Sequence, residues 1–395
     1  MRALHVDEDA ATPRHELGLL LTGGGARGAY QVGVLRWIAR EYPDLDVPIL
    51  TGVSAGAVNT AKLAARTGSF GQAVEELSGL WGSLTVEKIF RVDAATMFST
   101  AGRWGLRLMS GGAVPAPDVR GFLDTQPLRE LLEETLAPVD GKITGIDYNI
   151  ERRALRAVSL IATSYTTGQT VSFLRGKDIT PWTRPQRRTV VTDLTIEHVM
   201  ASASLPIFFP AIRVGDQWFG DGGIRLAAPL SPALHLGAGR ILAISTRYDR
   251  SQADADTPSI AGYPPPAQVL GLLLNAVFLD LVDQDALRLE RLNQLLLQLP
   301  PERRMGLRTI DLLVMRPSRD LGKLAADFEP QLPRSFRFMT RGLGTKEMRS
   351  ADLLSMLMFQ PDYISTLIET GERDAAARRD EIAALIEEKA TRALA

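Results

Sequence analysis

Ser54 sits in Gly52-Val53-Ser54-Ala55-Gly56, between the β-branched run "VPILTGVS" and the Ala-rich "AVNTAKLAA". A serine with glycine two residues to either side, at a strand-to-helix corner, is what lifts a hydroxyl clear of its own backbone for nucleophilic attack. Serine is also a favoured helix N-cap, but a cap has no need of Gly52 and Gly56 in tandem. A second turn, "TGGGARGAY", sets Gly23, Gly24 and Gly25 just before a helix. Main-chain N–H groups at such a turn point at whatever lies beside the helix start, and an anion or a developing oxyanion is the natural occupant. Gly23, Gly25 and Gly28 also satisfy G-x-G-x-x-G. A dinucleotide site further needs an acid at the end of the second strand, whereas Asp44 and Asp46 precede that strand.

A nucleophilic serine needs a base, and the chain has 4 histidines. His5 and His15 lie near the N-terminus. His198 and His235 fall in short helical patterns without the glycine or neighbouring acid of a catalytic loop, which favours surface or core packing for both. Asp221, in "QWFGDGGIRLAAPL", follows an aromatic strand and precedes Gly222 and Gly223, so its carboxylate is offered at a strand end. A plain Asp-Gly hairpin turn would read the same way. Two rivals stay open. One is a triad of Ser54, Asp193 or Asp221, and His235 in α/β-hydrolase order, acting on soluble esters. The other is non-enzymatic, with the glycine loop holding an anion or nucleotide and Ser54 as a cap.

Short apolar runs recur at 16–22, 47–54, 154–165, 240–246 and 310–317, separated by helical patterns. They are continuous rather than alternating, as strands covered on both faces are. The expected architecture is α/β, a mostly parallel sheet with helices on both faces. Thr167-Gly168, between two β-rich runs, predicts a hairpin at a sheet edge. From Gln268 onward the chain reads as mostly helical. "VLGLLLNAVFLDLV" at 269–282 is interrupted by Asn275 and Asp280, and is shorter than the roughly 18 to 20 residues that span a bilayer. Its leucines, with Leu287, Leu289, Leu292, Leu295 and Leu296, predict core packing, or alternatively a lid or membrane-facing helix. Residues 301–350 carry eleven Lys and Arg against six Asp and Glu, a local attraction for anionic headgroups.

The bulk numbers exclude several classes. With 395 residues, 45% hydrophobic and 23% charged, the chain is an ordinary globular one. Its net charge of -1 gives no field toward nucleic acid. The count of 0 cysteines removes disulfides, thiolate metal sites and Cys nucleophiles, and fits a reducing compartment. The acidic start "MRALHVDEDAATPRHE" lacks the apolar run of a signal peptide. A cytoplasmic protein is expected, and no motif calls for a metal or other cofactor.

Four motifs in order resemble the patatin-like phospholipases: "GGGARGAYQVGVL" at 23–35, "GVSAGAVN" at 52–59, "ASASLPIFFP" at 201–210 and "DGG" at 221–223. The segment "LLSMLMFQPDYISTLIETGERDA" at 353–375 is similar to the closing helices of bacterial members. The resemblance implies a three-layer patatin-like fold and a Ser/Asp dyad without histidine, with Ser54 as nucleophile and Asp221 as base. It puts Gly24, Gly25 and Arg27 at oxyanion-hole positions, and Gly23, Gly28, Gly52, Gly56, Gly222 and Gly223 at the motif glycines. Arg27 is alternatively a phosphate holder or a solvated charge on the first helical turn. The implied substrate is a phospholipid or other acyl-ester lipid, with peripheral membrane association and no nucleic acid. The expected organisation is a mobile tail over 1–15, a core over 16–318 with a helical insertion at about 266–298, and a helical extension over 319–395 packed on the core.

Overall fold

The computed structural model describes residues 16–91, 121–250, 266–278, 281–342 and 352–387, with a few isolated positions between them. The tail expected over 1–15, with His5 and His15, and the last residues of the extension, 388–395, lie outside them.

Ten strands form one sheet among the described residues. They are β1 (Leu17–Leu21), β2 (Ile49–Val53), β3 (Ala157–Ser164), β4 (Thr170–Gly176), β5 (Thr183–Arg184), β6 (Arg187–Val191), β7 (Ile212–Val214), β8 (Gln217–Asp221), β9 (Arg240–Ile244) and β10 (Asp311–Met315). Five of them, in the order β10, β9, β1, β2, β3, run parallel and coincide with the five apolar runs. They read as continuous because alternate side chains enter different layers. In β1, Leu19 and Leu21 join the larger core, while Leu20 joins a second core on the other face with Ile49, Ile241 and Ala233. Burial on both faces leaves no polar side to alternate with.

The hairpin through Thr167-Gly168 forms, β4 lying antiparallel to β3. Its expected place at a sheet edge is corrected, because β6 and then β5 continue the sheet beyond β4. Arg187 and Arg188 hide β6 from a search for apolar runs, yet such charges are what an outer strand tolerates.

Helix α1 (Gly28–Glu41) fills the first crossover and α2 (Ala55–Ala64) follows β2. Near the C-terminus, the helix Pro361–Ala377 lies against α1. The two backbones meet at glycines: a Cβ on Gly371 would collide with the Tyr30 carbonyl oxygen, and one on Gly33 with that of Ile368. Earlier, the helices Pro266–Phe278 and Leu281–Leu297 divide their leucines. Leu274, Leu289 and Leu296 are buried, whereas Val269, Leu272, Leu273, Leu287, Leu292 and Leu295 are exposed. Among the described side chains the stripe expected to be core is therefore core on one side only, those of Leu270, Val277 and Phe278 lying outside them.

The helix contact yields a test. Gly371→Ala should destabilise the protein by about 2 kcal/mol, since backbone rather than a flexible side chain must yield. Urea unfolding against the wild type measures it.

Candidate active site

Strand β3 sets the position of the site. One of its edges carries β4 along residues 157–163. The other edge carries two strands in succession: β2, parallel, as far as Val53 opposite Ile161, and β8, antiparallel, with Asp221 opposite Ala162. Their C-terminal ends meet head to head, so Ser54, the next residue after β2, comes beside Asp221. The junction is crowded. A Cβ on Gly222 would collide with the Ile161 carbonyl oxygen and sit 2.9 Å from Val53 Cγ2. Asp221 leads into the tight turn Gly222–Arg225 rather than into the Asp-Gly hairpin considered above.

Ser54 has φ 58 and ψ −129, a strained conformation for a residue with a side chain. Its side chain makes no capping hydrogen bond, against the N-cap reading. Gly52 and Gly56 are needed because the elbow folds back on itself: a Cβ on Gly52 would come 2.5 Å from the Gly56 carbonyl oxygen. The elbow is anchored from the helix Ile196–Ala203. The Ser54 N–H donates to Ser202 Oγ at 3.1 Å, and Ser202 Oγ donates to the Ile161 carbonyl at 2.6 Å. The neighbouring Ser204 carbonyl accepts the Asp221 N–H at 2.9 Å. One short segment thus ties down the backbone of both residues.

Asp221 is completely buried. Oδ1 accepts the Gly223 N–H at 2.9 Å, while Oδ2 lies in the interior without a hydrogen-bond partner of good geometry. Burial pushes its pKa up to about 7, the Ser54 hydroxyl and the Gly223 N–H opposing the rise. The serine contact is thus close enough to favour the ionised carboxyl and looser than a formed bond. Such contacts are commonly long in unliganded sites and tighten around substrate.

The glycine loop runs beside the elbow, where a Cβ on Gly23 would sit 2.9 Å from Ser54 Cβ. Gly24 (φ 142) and Gly25 (φ 58) hold backbone conformations that disfavour side chains. Their N–H groups meet no acceptor among the described residues. Thr246 Oγ1 secures the loop by donating to the Gly23 carbonyl at 2.6 Å. Gly28, the last glycine of the motif, faces Trp81 and Ala55.

Arg27 is not the solvated charge considered above. Its N–H is spent on the Gly24 carbonyl at 3.2 Å. Its guanidinium is buried, giving hydrogen bonds to Ser355 Oγ at 2.7 Å and Asp352 Oδ1 at 2.6 Å. It is neither a solvated charge nor a loop donor here.

Ser54 opens onto a narrow cavity of about 60 Å³ with apolar walls, including Val58, Trp81, Leu128, Leu205 and Phe359. No histidine lines it. His198 is tied to Thr195 at the start of its helix and packs edge-on to Phe173, burial lowering its pKa to about 4. His235 stacks on Trp182, whose ring packs against the second core. Asp193 is paired with Lys142 at 2.7 Å and Arg175 at 3.2 Å. The rival triad is not brought together. Ser202, Thr246 and the segment 352–359 were not assigned roles from sequence. For Ser202 the repeated Ser-Ala-Ser was the available signal, for 353–359 the resemblance to the closing helices of bacterial family members, and Thr246 had none. Among the described residues, no cluster of acids and histidines would hold a metal ion, and no helix is long and apolar enough to cross a membrane.

The sequence model of the patatin-like phospholipases matches residues 19–234, more than half of the chain. The chain belongs to this family. Among solved structures, VipD from Legionella pneumophila is 12% identical (TM-score 0.39), over 93% of this chain and 67% of its own. Human GIVD cytosolic phospholipase A2 is 12% identical (TM-score 0.46), over 97% and 64%. The type III effector ExoU is 13% identical (TM-score 0.36), over 94% and 54%. This chain therefore spans 54% to 67% of the length of these proteins. A comparison with curated proteins gave no match.

The buried carboxyl of this patatin-like protein has a stability signature. The unfolded Asp221 ionises near 3.8 and the folded one near 7, so stability falls as pH rises across that window and levels off above it. Asp221→Asn should remove the loss, making the variant more stable than the wild type at pH 8 by a few kcal/mol and little different below pH about 4. Denaturant midpoints of both proteins across pH test this.

Proposed function

We propose that this patatin-like protein is a lipid acyl hydrolase in which Ser54 and Asp221 form the catalytic dyad. The meeting of the two at the β2–β8 junction carries the reading. Asp221, with a pKa near 7, takes the Ser54 proton as Oγ bonds to the ester carbonyl carbon. An ordinary carboxyl with a pKa near 3.9 would be a weak base for this step. The carbonyl oxygen gains negative charge beside the unspent N–H groups of Gly24 and Gly25, donors of a kind worth roughly 10² to 10³ in rate each. The ester C–O bond then breaks and Asp221 returns the proton to the leaving alkoxide. Water next attacks the acyl-enzyme, Asp221 accepting its proton and passing it to Ser54 Oγ as the fatty acid leaves. The apolar cavity beside Ser54 suits an acyl chain and excludes water from the carboxyl. The triad reading has no support in the positions of His235 and Asp193, and the non-enzymatic reading leaves the shifted Asp221 without a purpose.

Folded Ser54→Ala and Asp221→Asn should each lose at least about 10³-fold in kcat on a chromogenic acyl ester. A fluorophosphonate probe should label wild type and not Ser54→Ala, and substantial hydrolysis by folded Ser54→Ala would refute the dyad. The pH profile adds a second check. kcat/KM should climb through pH about 7, as the carboxyl ionises, and then level off.

Peripheral contact with a lipid surface is part of the same proposal. The helix Pro266–Phe278 touches the turn after Asp221 and turns Val269, Leu272 and Leu273 outward. An apolar patch at the site's edge is where a lipid enzyme meets its interface. Leu272→Asp with Leu273→Asp should cut the fraction of protein floating with phospholipid vesicles, circular dichroism controlling for folding. Equal binding to neutral and anionic vesicles would remove any electrostatic part from the basic stretch 301–350.

A further inference from the structure

The family match ends at residue 234, yet the chain returns to the site more than a hundred residues later. The helical turn Asp352–Leu357 lies against the tight turn Gly25–Arg27 of the glycine loop. The contact is backbone to backbone: the Met356 carbonyl leaves no room for any side chain on Gly25. It is also ionic and buried. Arg27 is 3% exposed, and its fork spans Ser355 Oγ at 2.7 Å and Asp352 Oδ1 at 2.6 Å. Ser355 Oγ in turn donates to the Asp352 carbonyl at 2.6 Å. Removing one partner of a buried pair leaves the other charge uncompensated, so the attachment is held strongly in one geometry.

The same segment walls the cavity. Met356, Leu357 and Phe359 line it together with Ser54. Phe359 stacks on Trp81, ring centroids 6.5 Å apart. Trp81 is itself fixed, donating from Nε1 to Asn59 Oδ1 at 2.7 Å, so Phe359 closes against a rigid neighbour. Anchor and wall are a few residues apart on one stretch of chain.

We propose that Asp352–Phe359 is a strap that completes the acyl pocket. Met356 and Phe359 set which acyl chains Ser54 accepts, and Asp352 is a positioning residue that fixes the glycine loop through Arg27. The proposal rests on the reading of Ser54 as an acyl-enzyme nucleophile. Hydrophobic pockets discriminate by volume, one methylene being worth about tenfold or more. Truncating a wall residue should therefore change preference among chain lengths, whereas loosening the anchor should slow the chemistry for all of them.

The test uses the full-length protein, its variants and p-nitrophenyl esters from butyrate to palmitate. In Phe359→Ala and Met356→Ala, the palmitate-to-octanoate ratio of kcat/KM should rise about tenfold. Phe359→Leu gives a smaller rise and serves if the alanine variant does not fold. Asp352→Asn should lower kcat about tenfold on every ester with KM little changed, and Asp352→Glu should recover much of it. Unchanged ratios in the folded Phe359 and Met356 variants would overturn the strap as a pocket wall. A change confined to KM in Asp352→Asn, or no recovery in Asp352→Glu, would overturn its positioning role. Hydrolysis by folded Ser54→Ala would instead remove the nucleophile reading, with the ratios still reporting on the wall.

Discussion

The site depends on one edge of β3 being shared by two strands that approach from opposite directions. β2 uses the edge up to Ile161 and β8 uses it from Ala162, so both end at one point. A hydrogen-bonding ladder that changes partner there would strand a carbonyl group, and the Ile161 carbonyl is met by the Ser202 hydroxyl. The same hydroxyl takes the Ser54 N–H. A break in the sheet and the backbone of the proposed nucleophile are thus served by one side chain.

Legibility in the sequence followed the range of each interaction. Ser54 and the glycine loop could be read because strained turns demand glycine at fixed local offsets. The five parallel strands could be read because burial on both faces leaves a continuous apolar run. Asp221 was ambiguous, since Asp-Gly is equally a hairpin turn and its burial comes from distant residues. β7 is too short to announce its pairing, and β8, though legible as an aromatic strand, carries no local sign of which strand it joins. Ser202, Thr246 and Phe359 act through contacts with residues far away in the chain, which leave no local pattern. The burial of Arg27 was not legible for the same reason. Nothing local on the first turn of a helix marks an arginine as buried, and its partner Asp352 lies 325 positions on.

The site is built against stability. Asp221 is buried with one oxygen unsatisfied, and Ser54 is held at positive φ. Each costs free energy, as strained and desolvated groups at functional sites generally do. The rest of the molecule offsets this with interior on both faces of the sheet and with the close α1 contact at Gly33 and Gly371. The raised pKa of Asp221 comes from that burial, which the surrounding structure maintains.

The bond from Arg27 to Asp352 joins residues 325 positions apart in the chain. During synthesis the chain leaves the ribosome N-terminus first, and domains fold as their segments emerge. β1, the elbow and β8 all precede position 352 in the chain, so the segment that walls the cavity beside Ser54 is the last of these parts to emerge. That wall is therefore added only after both residues have been synthesised, and a chain cut before position 352 would keep Ser54 and Asp221 without it.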